Sequence, residues 1–575
     1  MCLKNNIEIH NINAVFLQTE SSSGAAMRTS SMQPRSGFLF VAIEFKDYAY
    51  RFKKQKAALE PLCERVECNI WNGSCLLPNL SDMNITKEEL QAVLQKSLEA
   101  FITIRKYTVQ KRVALMRAIA DEIEMLGDEL ITTAKDESNL PEGRLTGEKA
   151  RTIFQWRSYA EALEKGYSFD ASIDTANADR TPPKPDIRKT NVPLGPVAVF
   201  GASNFPFAFS TAGGDTASAF AAGCPVVVKA HPGHPGTSQI MADAITRAVQ
   251  KSGFPEGTFA HVYFATHEEA QFLVSHPIIK AVGFTGSFRG GMALAEIASR
   301  REAPIPVFAE MGSVNPVFLL QEKLNTSASE LAKQYAASLT LGVGQFCTNP
   351  GLVIAVDSEA LDQFTKTLQE EIVKVAPAHM LNEMIADSYV SASEKVMSQS
   401  GVNVLAVATM EAKEGQGSAM VAIASGENFL KNDTLQQEVF GPFALIIKCQ
   451  DADEVISVAG KMHGQLTATL LAAHEDLAKN DELLEVVRDK CGRILLNNFP
   501  TGVEVCKSMH HGGPFPSSSN LQFTSVGPDS IKRFVRPLSF QNWPDEFLPE
   551  ELQNANPLGI WRTVDNELTK KAIGN

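Results

Sequence analysis

Pro196-Val197-Ala198-Val199-Phe200-Gly201 is a short apolar run closed by a glycine, and Pro225-Val226-Val227-Val228-Lys229 repeats the pattern after a gap that holds one helix. Runs this short, apolar throughout and rich in β-branched residues, read as fully buried strands. The alternation continues downstream. Residues 258–264, 280–284 and 306–310 read as further strands. Residues 205–222, 237–252, 268–274 and 286–299 read as helices, with Thr237 or Ser238 capping the second. Strands that alternate with helices need crossover connections, which makes the sheet parallel. Ligands of such sheets bind at the carboxyl ends of the strands. Here those ends carry Asn204, Lys229, Gly286 with Ser287, and Glu310.

Upstream, residues 85–126 read as two helices. Thr86 is placed to cap the first, with Glu88 and Glu89 at its positive end. Val113, Leu115, Met116, Ile119 and Ile123 give the second a one-sided apolar stripe. Residues 143–163 form another helix. Residues 167–188, rich in Asp, Pro and Thr, suit an extended arm, and 529–540 has the strand character to pair with it. A second alternation over 311–499 makes a second α/β domain. The expected division is an unassigned N-terminal extension (1–84), a cofactor domain (85–310, with the arm at 167–188), a catalytic domain (311–505) and a closing segment (506–575).

Composition bounds the function. The chain has 575 residues, 44% hydrophobic and 21% charged, which is ordinary for a multidomain globular protein. A formal charge of -13 argues against a nucleic-acid groove or an anionic membrane as main partner. No apolar run reaches the roughly 20 residues that span a bilayer. Nine scattered cysteines without a CxxC pair fit a reducing compartment, so a cytoplasmic location is expected. Cys63, Cys68 and Cys75 lack a regular spacing and a fourth ligand, and no metal site is expected. Ser36 to Ile43, after a serine-rich stretch with Arg28 and Arg35, reads as part of an irregular extension or a transit peptide.

Gly344-Gln345-Phe346-Cys347-Thr348-Asn349-Pro350-Gly351 is the chemically loudest segment. A cysteine between a glycine-rich approach and a chain-breaking turn suits a nucleophile, though a small loop residue would look the same. Asn204, on the turn after the first strand, offers a neutral amide donor for an oxyanion or a cap for the next helix. Glu310, between apolar residues and a glycine, should be desolvated and raised in pKa, which suits a general base; a structural ion pair is the alternative. Lys229 projects from a strand end, toward ribose hydroxyls, a phosphate or solvent. Gly286 and Ser287 open a helix whose amides suit a pyrophosphate, although the loop is not GxGxxG.

Taken in order, these motifs resemble the aldehyde dehydrogenase superfamily from about residue 85 to the end. The likeness is carried by Phe200 to Pro206, Val226 to Lys229, Phe284 to Gly291, Glu310 to Pro316, Gly344 to Gly351 and Gln437-Glu438-Val439-Phe440-Gly441-Pro442. It implies an α/β fold: a Rossmann-type cofactor domain, an α/β catalytic domain and a small β arm for oligomerisation. It also implies Cys347 as nucleophile, Asn204 with the Cys347 amide as oxyanion hole, and Glu310 as the base that activates water. Lys229 and Glu438 resemble ribose contacts, Phe440 a nicotinamide-ribose packing residue, and Ser287 with Gly286 a pyrophosphate contact. Gly213-Gly214-Asp215, Lys229 to Pro235, Pro500 to Val503, His511 to Pro516 and Asn556 to Arg562 look like the alpha-ketoglutaric semialdehyde (2,5-dioxovalerate) dehydrogenase branch.

The resemblance implies oxidation of 2,5-dioxopentanoate to 2-oxoglutarate. The alternatives are a medium- or long-chain fatty aldehyde dehydrogenase, a CoA-acylating enzyme and an inactive binding protein. NADP is favoured, with NAD as alternative, because Pro232 stands beside His231 where an acid would repel a 2′-phosphate. Arg151, Gln155 and Arg157 on one helix are candidates for a substrate carboxylate. The partner is a small aldehyde, and a homodimer or homotetramer is expected. Glu310 and Cys347 are 37 positions apart, longer than usual in the family, and the extra residues are expected in a loop at 320–329.

Overall fold

The computed structural model describes residues 84–264 and 266–574. Arg28, Arg35, the run Ser36 to Ile43 and the trio Cys63, Cys68 and Cys75 lie outside the described residues.

Four helices come first: α1 (Lys87–Ile104), α2 (Val109–Glu124), α3 (Asp128–Ser138) and α4 (Glu142–Glu164). Thr86 caps α1 as expected, in a reciprocal box with Glu89. The stripe of α2 is buried along its length. Helix α3 was not legible: its sequence is polar, and its stop is Asn139 in the left-handed region (φ 55°).

The arm follows as β1 (Ser172–Asp174) and β2 (Ile187–Pro193). Then come β3 (Val197–Phe200), α5 (Gly214–Ala222), β4 (Val226–Lys229), α6 (Pro235–Lys251), β5 (Phe259–Val262), α7 (His267–Ser275), β6 (Ala281–Thr285), α8 (Phe288–Ser299) and β7 (Val307–Glu310). Strands β3 to β7 form one parallel sheet in the order β5-β4-β3-β6-β7. The order reverses beside β3, so a crevice opens between the loops that follow β3 and β6. Those loops carry Asn204 and Gly286–Ser287. The sheet is held by burial: Val226, Val227 and Val228 are at most 1% exposed, each contributing roughly 1.5–3 kcal/mol.

Two helix boundaries differ from the sequence expectation. Residues 205–213 are turns, and α5 is confined to Gly214–Ala222. The loop doubles back so tightly that a Cβ on Gly201 would lie 2.6 Å from Ser210 Cα. Helix α6 starts at Pro235, not at Thr237. Its first turn is capped from outside by Glu137, which accepts from the Gly236 and Thr237 amides and the Thr237 hydroxyl.

A second sheet contains β8 (Val317–Leu319), β9 (Leu352–Val356), β11 (Asn403–Val407), β13 (Met420–Ser425), β14 (Phe443–Cys449), β15 (Gln465–Leu471) and β16 (Cys491–Leu496). Its order is β11-β13-β14-β9-β8-β15-β16, parallel except for β11. A two-stranded ribbon pairs β10 (Ala378–His379) with β12 (Gln416–Gly417). The expected loop at 320–329 is the start of a helix, α9 (Gln321–Thr340). Leu324, Ala328, Leu331, Ala332, Tyr335 and Leu339 give it a buried face at helical spacing, and Asp476 accepts from the amides of Glu322 and Lys323 at its first turn.

Only Ile187 and Arg188 of the expected arm pair with the expected partner: the ladder lies mostly beyond the arm, and Pro528–Phe534 is a 3₁₀ helix, not strand. β2 runs antiparallel to β17 (Val535–Gln541), with Val535 opposite Pro193 and Gln541 opposite Ile187. This third sheet has the order β17-β2-β1-β18-β19, with β18 at Arg562–Val564 and β19 at Glu567–Thr569. No described helix is long and apolar enough to cross a membrane.

Candidate active site

Cys347 lies in a turn after α9 that the backbone holds under strain. Gly342, Val343 and Gly344 take φ of 55°, 58° and 63° in succession. For β-branched Val343 this is an outlier worth roughly 1–3 kcal/mol. Gly344 cannot be replaced, because a Cβ there would lie 2.4 Å from the Gly441 carbonyl carbon. The turn is then pinned by side chains. Buried Asn315 donates through Nδ2 to the carbonyls of Cys347 and Asn349, both at 2.9 Å. Asn349 donates to Gly441 O at 3.1 Å, and Tyr335 to Pro350 O at 2.6 Å. Asn315 belongs to the Glu310 to Pro316 motif, and nothing in that run marks it as the residue that sets the cysteine loop.

Asn204 is 7% exposed, and its Nδ2 donates to Gln345 O at 3.1 Å, which seats it beside the cysteine turn. Its loop is clamped from α4. Arg144 donates to Asn204 O at 2.6 Å, and Glu148 accepts from the Phe207 and Ala208 amides at 2.8 and 3.0 Å.

Glu310 ends β7 and is 4% exposed. The segment around 517–525 runs along that strand end: Met311 donates to Ser517 O, and the Ser525 hydroxyl donates to the Glu310 carboxylate. The same segment brings in His511, 1% exposed, whose Nε2 lies 3.0 Å from Glu310 Oε1 and 3.5 Å from Cys347 Sγ. Ligand atoms of all three residues lie within 4.8 Å of one another. In the sequence His511 stands out only as part of the branch-like run His511 to Pro516. A buried ring in His510-His511-Gly512-Gly513 was the one available signal.

The electrostatics correct one expectation. Burial, the largest single effect, pushes the Glu310 carboxyl up, as the sequence implied, but the His511 ring, the Ser525 hydroxyl and the Arg533 charge together outweigh it. Glu310 is therefore held below the ordinary carboxylate value and is ionised. Cys347 goes the other way. Burial first, then the charges of Glu310 and Glu438, push its thiol well above the ordinary value. The resting sulfur is protonated and needs an acceptor, and the Glu310–His511 pair is within reach.

A cleft of ≈ 370 Å³ leads from this cluster along the sheet's carboxyl edge. Asn204, Glu310 and Cys347 line its floor; His231, Gly286, Ser287, Glu438 and Phe440 line its walls. Ser287 caps α8 through the Gly290 amide at 3.2 Å, leaving a helix N-terminus facing the cleft. Glu438 accepts from the Ser313 amide at 3.4 Å, and burial raises it to about 7. Lys229 is absent from the lining. Its ammonium sits 5.6 Å from the Phe264 ring centre, and burial lowers it to about 8 with no counter-charge offsetting it among the described residues. A buried amine without a counter-ion is relieved by hydroxyl or phosphate oxygens. The His231 ring stacks on His234 at 5.0 Å, and its Nδ1 accepts from the Gly233 amide. Burial keeps it neutral, so the remaining ring proton is on Nε2. These groups fit a dinucleotide.

Of the three candidates for a substrate carboxylate, Arg157 is excluded. It lies on the outer face of α4, paired with Asp121 and Glu124.

The chain is similar to known proteins in sequence and in fold. The aldehyde dehydrogenase family matches residues 81–536. Alpha-ketoglutaric semialdehyde dehydrogenase 2 of Azospirillum brasilense is 47% identical over 480 residues, covering 83% of this chain and 91% of the relative. Alpha-ketoglutaric semialdehyde dehydrogenase of Acinetobacter baylyi is 44% identical, covering 84% and 92%. Among solved structures, glyceraldehyde-3-phosphate dehydrogenase GapN of Methanocaldococcus jannaschii, complexed with NADP, superposes with a TM-score of 0.68 at 18% identity, over 80% of this chain and 95% of that one.

Proposed function

This chain belongs to the aldehyde dehydrogenase family, and from that premise we propose that it oxidises 2,5-dioxopentanoate to 2-oxoglutarate with NADP as hydride acceptor. The observation that carries the chemistry is the contact of Cys347 with His511 and Glu310 at the floor of a dinucleotide-shaped cleft. The substrate is supported by the two relatives of that name.

Cys347 Sγ adds to the aldehyde carbon as its proton leaves to the Glu310–His511 pair, whose ionised carboxylate hydrogen-bonds the thiol. The oxyanion that forms is met by the Asn204 side-chain amide and the Cys347 amide, donors of the kind worth roughly 3–4 kcal/mol each in a transition state. The nicotinamide, when bound, accepts hydride. The acyl group is then held on the sulfur as a thioester, and ionised Glu310, with His511, takes a proton from the water that releases the acid. A carboxylate beside the sulfur favours water over CoA as acceptor. Lys229 and Glu438 would hold the ribose hydroxyls, Ser287 and Gly286 the pyrophosphate, and Phe440 the nicotinamide ribose. NADP over NAD is supported by His231, whose Nε2 proton is a donor for a 2′-phosphate. The assembly is taken to be a homodimer or homotetramer. The test is turnover of 2,5-dioxopentanoate and hexanal with each cofactor and without CoA. Higher kcat/KM for dioxopentanoate with NADP is expected; equal or better use of hexanal contradicts the substrate, and preference for NAD contradicts the cofactor.

A further inference from the structure

Two arginines from different layers meet at one turn. Arg151 projects from α4, and Arg493 from β16 in the second sheet. Arg151 Nη1 donates to Val503 O. Arg493 donates through Nη1 to Gly502 O and through Nη2 to Pro500 O, both at 3.0 Å. Neither guanidinium is satisfied by that turn. Arg151 Nε and Nη2 and Arg493 Nε are buried without a hydrogen-bond partner. Gln155, one turn along α4 from Arg151, is fully buried with both amide atoms unpartnered.

Unsatisfied buried donors on a guanidinium are costly, and a planar fork of this kind matches a carboxylate. The acids that face Arg151 do not fill the role. Glu148 is committed to the Phe207 and Ala208 amides and is raised by burial to about 7, and Glu504 is exposed. The place is also right. The Arg151 guanidinium lies 5.7 Å from the Phe209 ring centre, Phe209 lies 6.4 Å from the His511 ring, and His511 touches the Cys347 sulfur.

We propose that Arg151 and Arg493 form the site that holds the substrate's carboxylate while its aldehyde end meets Cys347, so that they set the preference for an acidic aldehyde. This rests on the substrate reading above. Gln155 supports the same end of the chain as a neutral donor, for which the 2-oxo group is the acceptor within reach of the carboxylate.

The test is kcat/KM for 2,5-dioxopentanoate and for pentanal, which has the same carbon count, in the wild type and in Arg151→Met, Arg493→Met and the two Lys variants. Pentanal turnover reports that a variant is folded. Each Met variant should lower the dioxopentanoate-to-pentanal ratio by about 10–100-fold, chiefly through KM, as loss of a charged hydrogen bond implies, and Lys should recover part of it. If both substrates fall together and the ratio holds, the arginines only anchor the 500–503 turn and the proposal is overturned. Should a Met variant fail to fold, an unchanged ratio in its Lys counterpart overturns it equally. A wild type that does not prefer dioxopentanoate to pentanal removes the substrate reading and the carboxylate site together. Preference in the wild type with unchanged ratios in the variants removes the site alone.

Discussion

At the scale of single residues, the site turns on where one proton sits. Cys347 is half-buried and beside two acids, so it rests as a thiol, whereas Glu310 is kept ionised by His511, Ser525 and the charge of Arg533. His511 Nε2 stands between them at 3.5 and 3.0 Å. His511→Asn should slow the pre-steady-state burst of NADPH at neutral pH by about 10²–10⁴-fold, the usual worth of a positioned base. Because the thiol is raised, deprotonation by hydroxide should restore the burst as pH increases, more steeply than in the wild type. Stopped-flow absorbance across pH checks this. An unchanged burst with an unchanged profile would mean that another group takes the proton. Asn204, Glu310 and Cys347 were legible because each sits in a distinctive run at a strand end or turn. His511 was not, because it reaches the site only through the fold, 164 positions after Cys347, by the path of 510–526 along β7. For the same reason the direction of the Glu310 shift could not be read: burial was visible in its neighbours, but its partner was not.

At the scale of elements, α4 is the piece that holds the site in shape. It clamps the Asn204 loop through Arg144 and Glu148 and presents Arg151 toward the reacting end. Glu148 is buried, and its carboxyl is raised from 4.5 to about 7. A raised acid binds more protons folded than unfolded in that window, so its contribution is fullest below about pH 4.5 and is lost as pH rises through 7. Full conversion of that shift is about 3 kcal/mol. Glu148→Gln should therefore flatten the fall in stability between about pH 5 and pH 8, leaving the smaller slope that Glu438, shifted the same way, contributes. Chemical-denaturation midpoints across that range read it out. A variant whose midpoints fall with pH as steeply as the wild type's would show that Glu148 does not titrate there. The outer and inner faces of α4 could not be separated from spacing alone. Arg157 turned out to be a surface ion-pair residue and Arg151 a buried one, a distinction set by what packs on the helix and not by the helix itself.

At the scale of the whole molecule, two parallel sheets meet over one chemistry. The cofactor sheet was legible strand by strand, because buried parallel strands leave short apolar runs that sequence spacing resolves; an arm strand was legible too, but its ladder, 187–193 against 535–541, lies mostly beyond the expected 167–188. The second sheet was read only as an alternation. The segment 320–329 was expected to be a loop, yet all but its first residue begins a helix, α9, whose buried face had the right period all along. What the architecture adds is convergence: Asn204 and Glu310 come from the first sheet, Cys347 and Arg493 from the second, and His511 from the segment that closes over both.

The central claim is that this convergence makes Cys347 an aldehyde-capturing thiol whose thioester is cut by water with the help of Glu310. Its most direct test is the intact-protein and peptide mass of Glu310→Gln after mixing with 2,5-dioxopentanoate and NADP and rapid acid quench. The expected result is about one NADPH released per active site and an acyl adduct on the peptide that carries Cys347. Release of NADPH without an adduct, or an adduct on another thiol such as exposed Cys506, would contradict the claim.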